Sequence, residues 1–71
     1  MQTIVDLRGL PPPEPMEHIL LWLDSAAEGA TLSVHLPHIP YPLYDHLRLR
    51  ACHWDCVEQA DASAILHLVR D

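Results

Sequence analysis

Apolar and β-branched residues crowd the first stretch, Gln2-Thr3-Ile4-Val5-Asp6-Leu7, which predicts a strand ended by Gly9 and the prolines after it. Beyond Pro11-Pro12-Pro13 the period changes. Met16, Ile19, Leu20, Leu23, Ala26 and Ala27 recur at helical spacing, predicting a helix from Pro13 or Pro15 to about Ala27 with that stripe in the core. Proline suits the first turn, where the amide it lacks would have no partner, and Glu14 and Glu17 complement the positive end of the helix dipole. Gly29 reads as the helix stop. Leu21 lies off the stripe and Trp22 on its flank; either could pack under a loop or mark a partner surface, and packing is the expectation.

Residues 30–36 then alternate cleanly, Leu32, Val34 and Leu36 inward against Thr31, Ser33 and His35 outward, as a half-buried strand does. Pro37, Pro40 and Pro42 punctuate a loop, and a second helix is expected from Pro42 to Ala51 on the stripe Leu43, Tyr44, Leu47 and Ala51, with Asp45, Arg48 and Arg50 toward water. Residues 52–58 and 64–70 read as strands joined by a connection short enough to make a hairpin. The best register sets Asp55 opposite His67, Val57 opposite Ile65 and His53 opposite Val69, turning Trp54, Cys56, Leu66 and Leu68 toward the helices. The order βαβαββ predicts one domain over residues 1–71. It is an α+β two-layer sandwich with a four-stranded mixed sheet and both helices on one face. Right-handed crossovers make the first three strands codirectional and reverse the fourth. The loops after strands one and two then emerge at one sheet edge beside two helix N-termini, where α/β folds place ligands.

Seventy-one residues bury roughly 60% of the unfolded surface and leave no room for a second domain or a deep cavity. Ten acidic residues face four arginines and no lysine, a net charge of −6. Nothing in that balance neutralises a row of phosphates or an anionic bilayer surface, so nucleic acid and membrane are excluded as partners. No apolar run reaches the roughly 20 residues that span a bilayer, and the N-terminus lacks the pattern of a secretory signal, which makes a cytoplasmic location the expectation. Protonating all six histidines would bring the formal charge to zero, so self-association is expected as pH falls toward the sequence pI of 5.3.

Cys52 and Cys56, four residues along one strand, would lie about 13 Å apart, too far to bridge. They read as small apolar side chains. The candidate binding site is the sheet edge: Asp6, Arg8, Glu14, His38, Tyr41 and Tyr44. Functionally, Arg8 and the helix N-termini would hold an anion or a partner's carboxylate while His38 exchanges a proton. Structurally, Asp6 and Glu14 would satisfy turn and helix-start amides, and Arg8 would pair with one of them. A second set, His35, His53, Asp55 and His67, falls on the open face of the sheet. It could bind Zn or Ni, sense pH, or decorate a solvated or weakly dimerising face with Ile65 and Val69. Since ligands must converge to about 2 Å from one point, no metal site and no cofactor is assigned. His35 and His38 point to opposite faces in extended chain, and His18 reads as surface. No nucleophile with a base and acid, and no glycine-rich phosphate loop, supports an enzyme.

The pattern Asp6-x-Arg8-Gly9-Leu10-x-x-Pro13-Glu14-Pro15 before βαβαββ resembles the TusA-like (SirA-like) family of small sulfur carriers. In that family a cysteine precedes Pro-x-Pro at the helix start, where the dipole favours a thiolate. Here that position is Pro12, so the persulfide chemistry does not carry over. Leu7-Arg8-Gly9-Leu10-Pro11-Pro12-Pro13-Glu14-Pro15 and Leu36-Pro37-His38-Ile39-Pro40-Tyr41-Pro42-Leu43-Tyr44 are more closely similar to the family called domain of unknown function 2249, which also lacks the carrier cysteine. That resemblance implies a neighbourhood of hemerythrin-like and other redox or metal proteins, hence a partner rather than an activity. The leading expectation is a non-enzymatic accessory or interaction module that binds another protein, a redox or metal protein among the candidates. The alternatives are a cysteine-independent component of a sulfur-transfer or redox pathway and a small metal-binding protein.

Overall fold

A computed structural model describes residues 3–71 of the chain. The elements are β1 (Ile4–Asp6), α1 (Glu14–Ser25), β2 (Thr31–Leu36), α2 (Tyr41–Arg48), β3 (Cys52–Glu58) and β4 (Ala64–Arg70). The sheet order is β1-β2-β4-β3, with β1 parallel to β2 and β4 antiparallel to both β2 and β3. The expected mixed sheet and strand directions are therefore present. Of the predicted first strand, Gln2 lies outside the described residues, and Leu7 leaves the strand but extends its ladder by donating to the His35 carbonyl at 2.9 Å.

Alternation along the strands decides which face is covered. Val34 and Leu36 of β2, Leu66 and Leu68 of β4 and Cys52 of β3 join Ile19 and Leu23 of α1 and Leu43 and Leu47 of α2 in one core, so both helices lie on the same face. Each fully buried leucine or isoleucine stabilises the fold by about 1.5–3 kcal/mol. The β3–β4 register is the predicted one, Asp55 opposite His67 with Val57 opposite Ile65 and His53 opposite Val69. A one-residue slip would turn the whole apolar set outward, which is why alternation alone could specify it. The hairpin closes through the Gln59 amide donating to the Ser63 carbonyl at 2.7 Å, with Ala62 in the left-handed region at φ 71°.

Both helices end earlier than their apolar stripes suggest. α1 stops at Ser25, whose hydroxyl donates to the Leu21 carbonyl at 3.1 Å, and Ala26 is already extended. Gly29, at φ +85°, is not the helix stop: its amide donates to the Arg70 carbonyl at 2.7 Å, so its left-handed backbone shapes the turn into β2. Ala27 is exposed and leaves the core stripe. α2 stops at Arg48, and Ala51, placed in its stripe by spacing, is exposed. The Ala51 carbonyl instead accepts the Asp71 amide at 2.9 Å and the Arg70 guanidinium at 2.7 Å, drawing that segment to the end of β4. Trp22 packs against the core as expected, whereas Leu21 stands 69% exposed.

Candidate functional site: a proline-walled groove

Because β1 and β2 are parallel, the loops leaving their carboxyl ends lie side by side, and the two helices start from them. Six of the chain's seven prolines, Pro12, Pro13, Pro15, Pro37, Pro40 and Pro42, wall a groove of 220 Å³ between these loops. Leu10 and Met16 add to the wall on one side, and Ile19, Leu36 and Leu43 connect the lining to the core. The Pro12–Pro13 peptide is cis. Proline fixes its own φ and restricts the residue before it, so the walls lose little conformational freedom when something binds. Ligand and cofactor pockets usually enclose roughly 300–1,000 Å³. This groove is nearer the size of one or two large apolar side chains.

The same prolines strip the helix starts of most of the free amides an anion would use. Pro15 and Pro42 occupy first-turn positions and supply no N–H. The Glu14 amide donates to the Pro11 carbonyl at 3.0 Å, the Tyr41 amide to Ile39 at 3.0 Å and the Leu43 amide to Pro40 at 3.0 Å. Turn carbonyls therefore already hold amides that an anion would need.

The six predicted site residues do not form one constellation. Asp6 and Arg8 grip each other: one carboxylate oxygen accepts the Arg8 amide at 3.0 Å and Nε at 2.9 Å, and the other accepts Nη2 at 2.8 Å. That fork, above all its side-chain hydrogen bonds, holds the Asp6 carboxyl well below the usual carboxylate range and raises the Arg8 guanidinium. Arg8 is thus committed to its own chain, as the structural alternative anticipated. His38 lines the groove as its one polar side chain, with Nδ1 donating to the Ile39 carbonyl at 3.3 Å. Glu14 is exposed at the first residue of α1 and makes no side-chain cap.

Tyr41 and Tyr44 belong instead to an aromatic ladder running toward β3. Their rings meet edge to face at 6.0 Å, and Tyr44 stacks on Trp54 at 5.9 Å. Burial, followed by a hydrogen bond with Cys56, pushes the Tyr44 hydroxyl up to about 12, so it stays protonated. Cys52 is also driven up, mainly by burial, as befits a core thiol rather than a nucleophile. Among the described residues no hydrogen bond or ion pair joins the Asp6–Arg8 fork to His38 or to either tyrosine.

On the open face the imidazoles take separate partners. His67 Nδ1 shares a hydrogen bond with Ser33 Oγ at 2.7 Å, His35 Nε2 meets Ser63 Oγ at 2.7 Å, and His53 Nδ1 meets Asp71 at 2.5 Å. Ser63 Oγ donates to Asp61 at 2.5 Å, so in the bond with His35 it accepts, which places a proton on His35 Nε2. The Ser63 hydroxyl, with help from its amide, lowers the Asp61 carboxyl. Among the described residues no three His, Cys, Asp or Glu side chains converge on a point that could hold a metal ion. Sequence reading missed the anchoring roles of Ser33 and Ser63, both buried; a serine on a polar face carries no distinguishing signal. It also missed the groove as an apolar feature, although the clustering of prolines in two loops was its trace.

Fold and site together define a small α+β sandwich carrying a proline-walled apolar groove at the carboxyl ends of its parallel strands. Among the described residues no helix is long and apolar enough to cross a membrane. The chain belongs to the family of uncharacterised conserved proteins designated DUF2249, whose family model matches residues 4–70. The resemblance to that family seen in the two proline-bearing loops is thereby borne out. No curated protein and no solved structure matches the chain.

Proposed function

We propose that this protein is a non-enzymatic docking module that receives an apolar anchor of another protein in the groove between its two proline loops. The observation that carries the reading is the convergence of six prolines from two distant segments onto one groove. Such walls preorganise a site, and an anchor side chain held in a preformed pocket is the usual centre of an interface. The reading moves the site away from Arg8, Tyr41 and Tyr44 and keeps His38 at its margin. The non-enzymatic reading draws support from the groove's lining, which is eleven apolar residues and one imidazole.

Titration with indole, followed by heteronuclear NMR, tests the docking surface without knowledge of the partner. Shifts should concentrate on Leu10, Met16, Leu36, His38 and Leu43. A response confined to the smaller depression of 170 Å³ beside Trp22 and Val5 would place binding elsewhere and overturn the reading.

A further inference from the structure

We infer that the segment received by this groove is basic: an apolar side chain flanked by lysine or arginine. The inference rests on the docking reading above and names the chemistry of the partner. Three observations carry it. First, every arginine is already engaged within the chain. Arg8 holds Asp6, Arg48 holds Asp45 at 2.7 Å, Arg50 holds Asp24 at 3.3 Å, and Arg70 donates to the Ala51 and Asp71 carbonyls. With no lysine in the sequence, an acidic partner meets no uncommitted arginine or lysine among the described residues.

Second, the groove itself offers an anion almost nothing. Its one polar side chain is His38, two first-turn positions are prolines without N–H groups, and turn carbonyls take the Glu14, Tyr41 and Leu43 amides. Third, the positive end of the α1 dipole is already met by Glu14 and Glu17 in its first turn. Glu14 lies between Pro13 and Pro15 and Glu17 follows Met16, three residues of the groove wall, and neither glutamate makes an ion pair among the described residues. At physiological salt an exposed carboxylate acts over about one Debye length, roughly 8–10 Å. The net charge of −6 adds a field of the same sign. An acidic flank would be repelled, and a basic flank would find counter-charges that the chain itself leaves unpaired.

The test compares three synthetic peptides that share one leucine and tryptophan anchor and differ only in lysine, serine or glutamate flanks. Binding is read by tryptophan fluorescence against the intact protein in low salt and again in added sodium chloride. The lysine-flanked peptide should bind roughly tenfold more tightly than the glutamate-flanked one, with the gap closing as salt rises. The exposed double variant Glu14→Gln/Glu17→Gln should narrow the gap while leaving the serine-flanked peptide's affinity unchanged. Equal affinity of all three peptides would overturn the basic-partner inference and leave the docking reading standing. Absence of binding by all three would overturn both. A second copy of the chain filling the groove, seen as a dimer by sedimentation and abolished by Met16→Glu, would also overturn the inference.

Discussion

If the prolines hold the groove in shape, removing two of them should cost stability and binding together. The informative perturbation is the double variant Pro37→Ala/Pro40→Ala, which keeps both residues' carbonyls and removes only ring constraint and apolar surface. Leu36 and Leu43, the groove residues nearest these prolines in sequence, are 3% and 2% exposed, so the core beneath stays intact. Each proline that fits its native backbone stabilises by about 0.4–1 kcal/mol, chiefly by restricting the unfolded chain. The pair should therefore cost about 1–2 kcal/mol. For a domain of this size that corresponds to a fall in Tm of roughly 5–15 °C. Denaturant unfolding should show a lower midpoint at unchanged slope, because the surface exposed on unfolding hardly changes. Indole affinity should fall by about two- to fivefold, the cost of ordering walls that are no longer preset. A variant that loses stability yet binds indole as tightly as the parent would refute the preorganisation argument. One that loses neither would show that these prolines constrain nothing.

Three further outcomes follow from the titrating and buried polar groups. Ser63→Ala leaves the His35 Nε2 proton without its acceptor in a half-buried site, and should cost about 1–2 kcal/mol in urea unfolding; a cost near zero would mean that water replaces the hydroxyl. The lowered carboxyls of Asp6 and Asp61 contribute stability above the ordinary carboxylate range that is lost as pH falls through their folded values. Asp6→Asn/Asp61→Asn should flatten the acid limb of stability below about pH 4, and an unchanged limb would assign it to other groups. The Tyr44 hydroxyl, raised from 10.0 to about 12, contributes stability that is fully present below pH 10 and is lost as pH rises through 12. Ultraviolet tyrosinate absorbance should accordingly show one group ionising near pH 12 that Tyr44→Phe removes, and its appearance near pH 10 would contradict the burial assigned to that ring.

The sheet was legible in the sequence because its signal is local and redundant. Alternation in Thr31–Leu36, Cys52–Glu58 and Ala64–Arg70 specified faces and even the hairpin register. The helix ends were less legible because tertiary bonds set them: Gly29 answers to the Arg70 carbonyl and Ala51 to the Asp71 amide, partners some 41 and 20 residues away along the chain. The position of the groove was readable from the parallel arrangement of β1 and β2 and the prolines that follow each. Its chemistry was not. Charged and aromatic residues attract attention in a sequence, yet Arg8 spends its guanidinium on Asp6 and the two tyrosines turn toward Trp54. Met16 and Leu43 read only as core stripe residues, and their second role as groove lining appears once two loops distant in sequence are brought together.

The central claim, that another protein docks in the proline-walled groove, is tested most directly by site-specific photo-crosslinking in the native host. A photoreactive residue is placed at Met16 in one variant and at Val57, on the open face of the sheet, in another. The account predicts a defined partner adduct from the Met16 position, suppressed by excess indole and by Pro37→Ala/Pro40→Ala, with no matching adduct from Val57. Adducts formed only from Val57, or a Met16 adduct indifferent to indole, would contradict it.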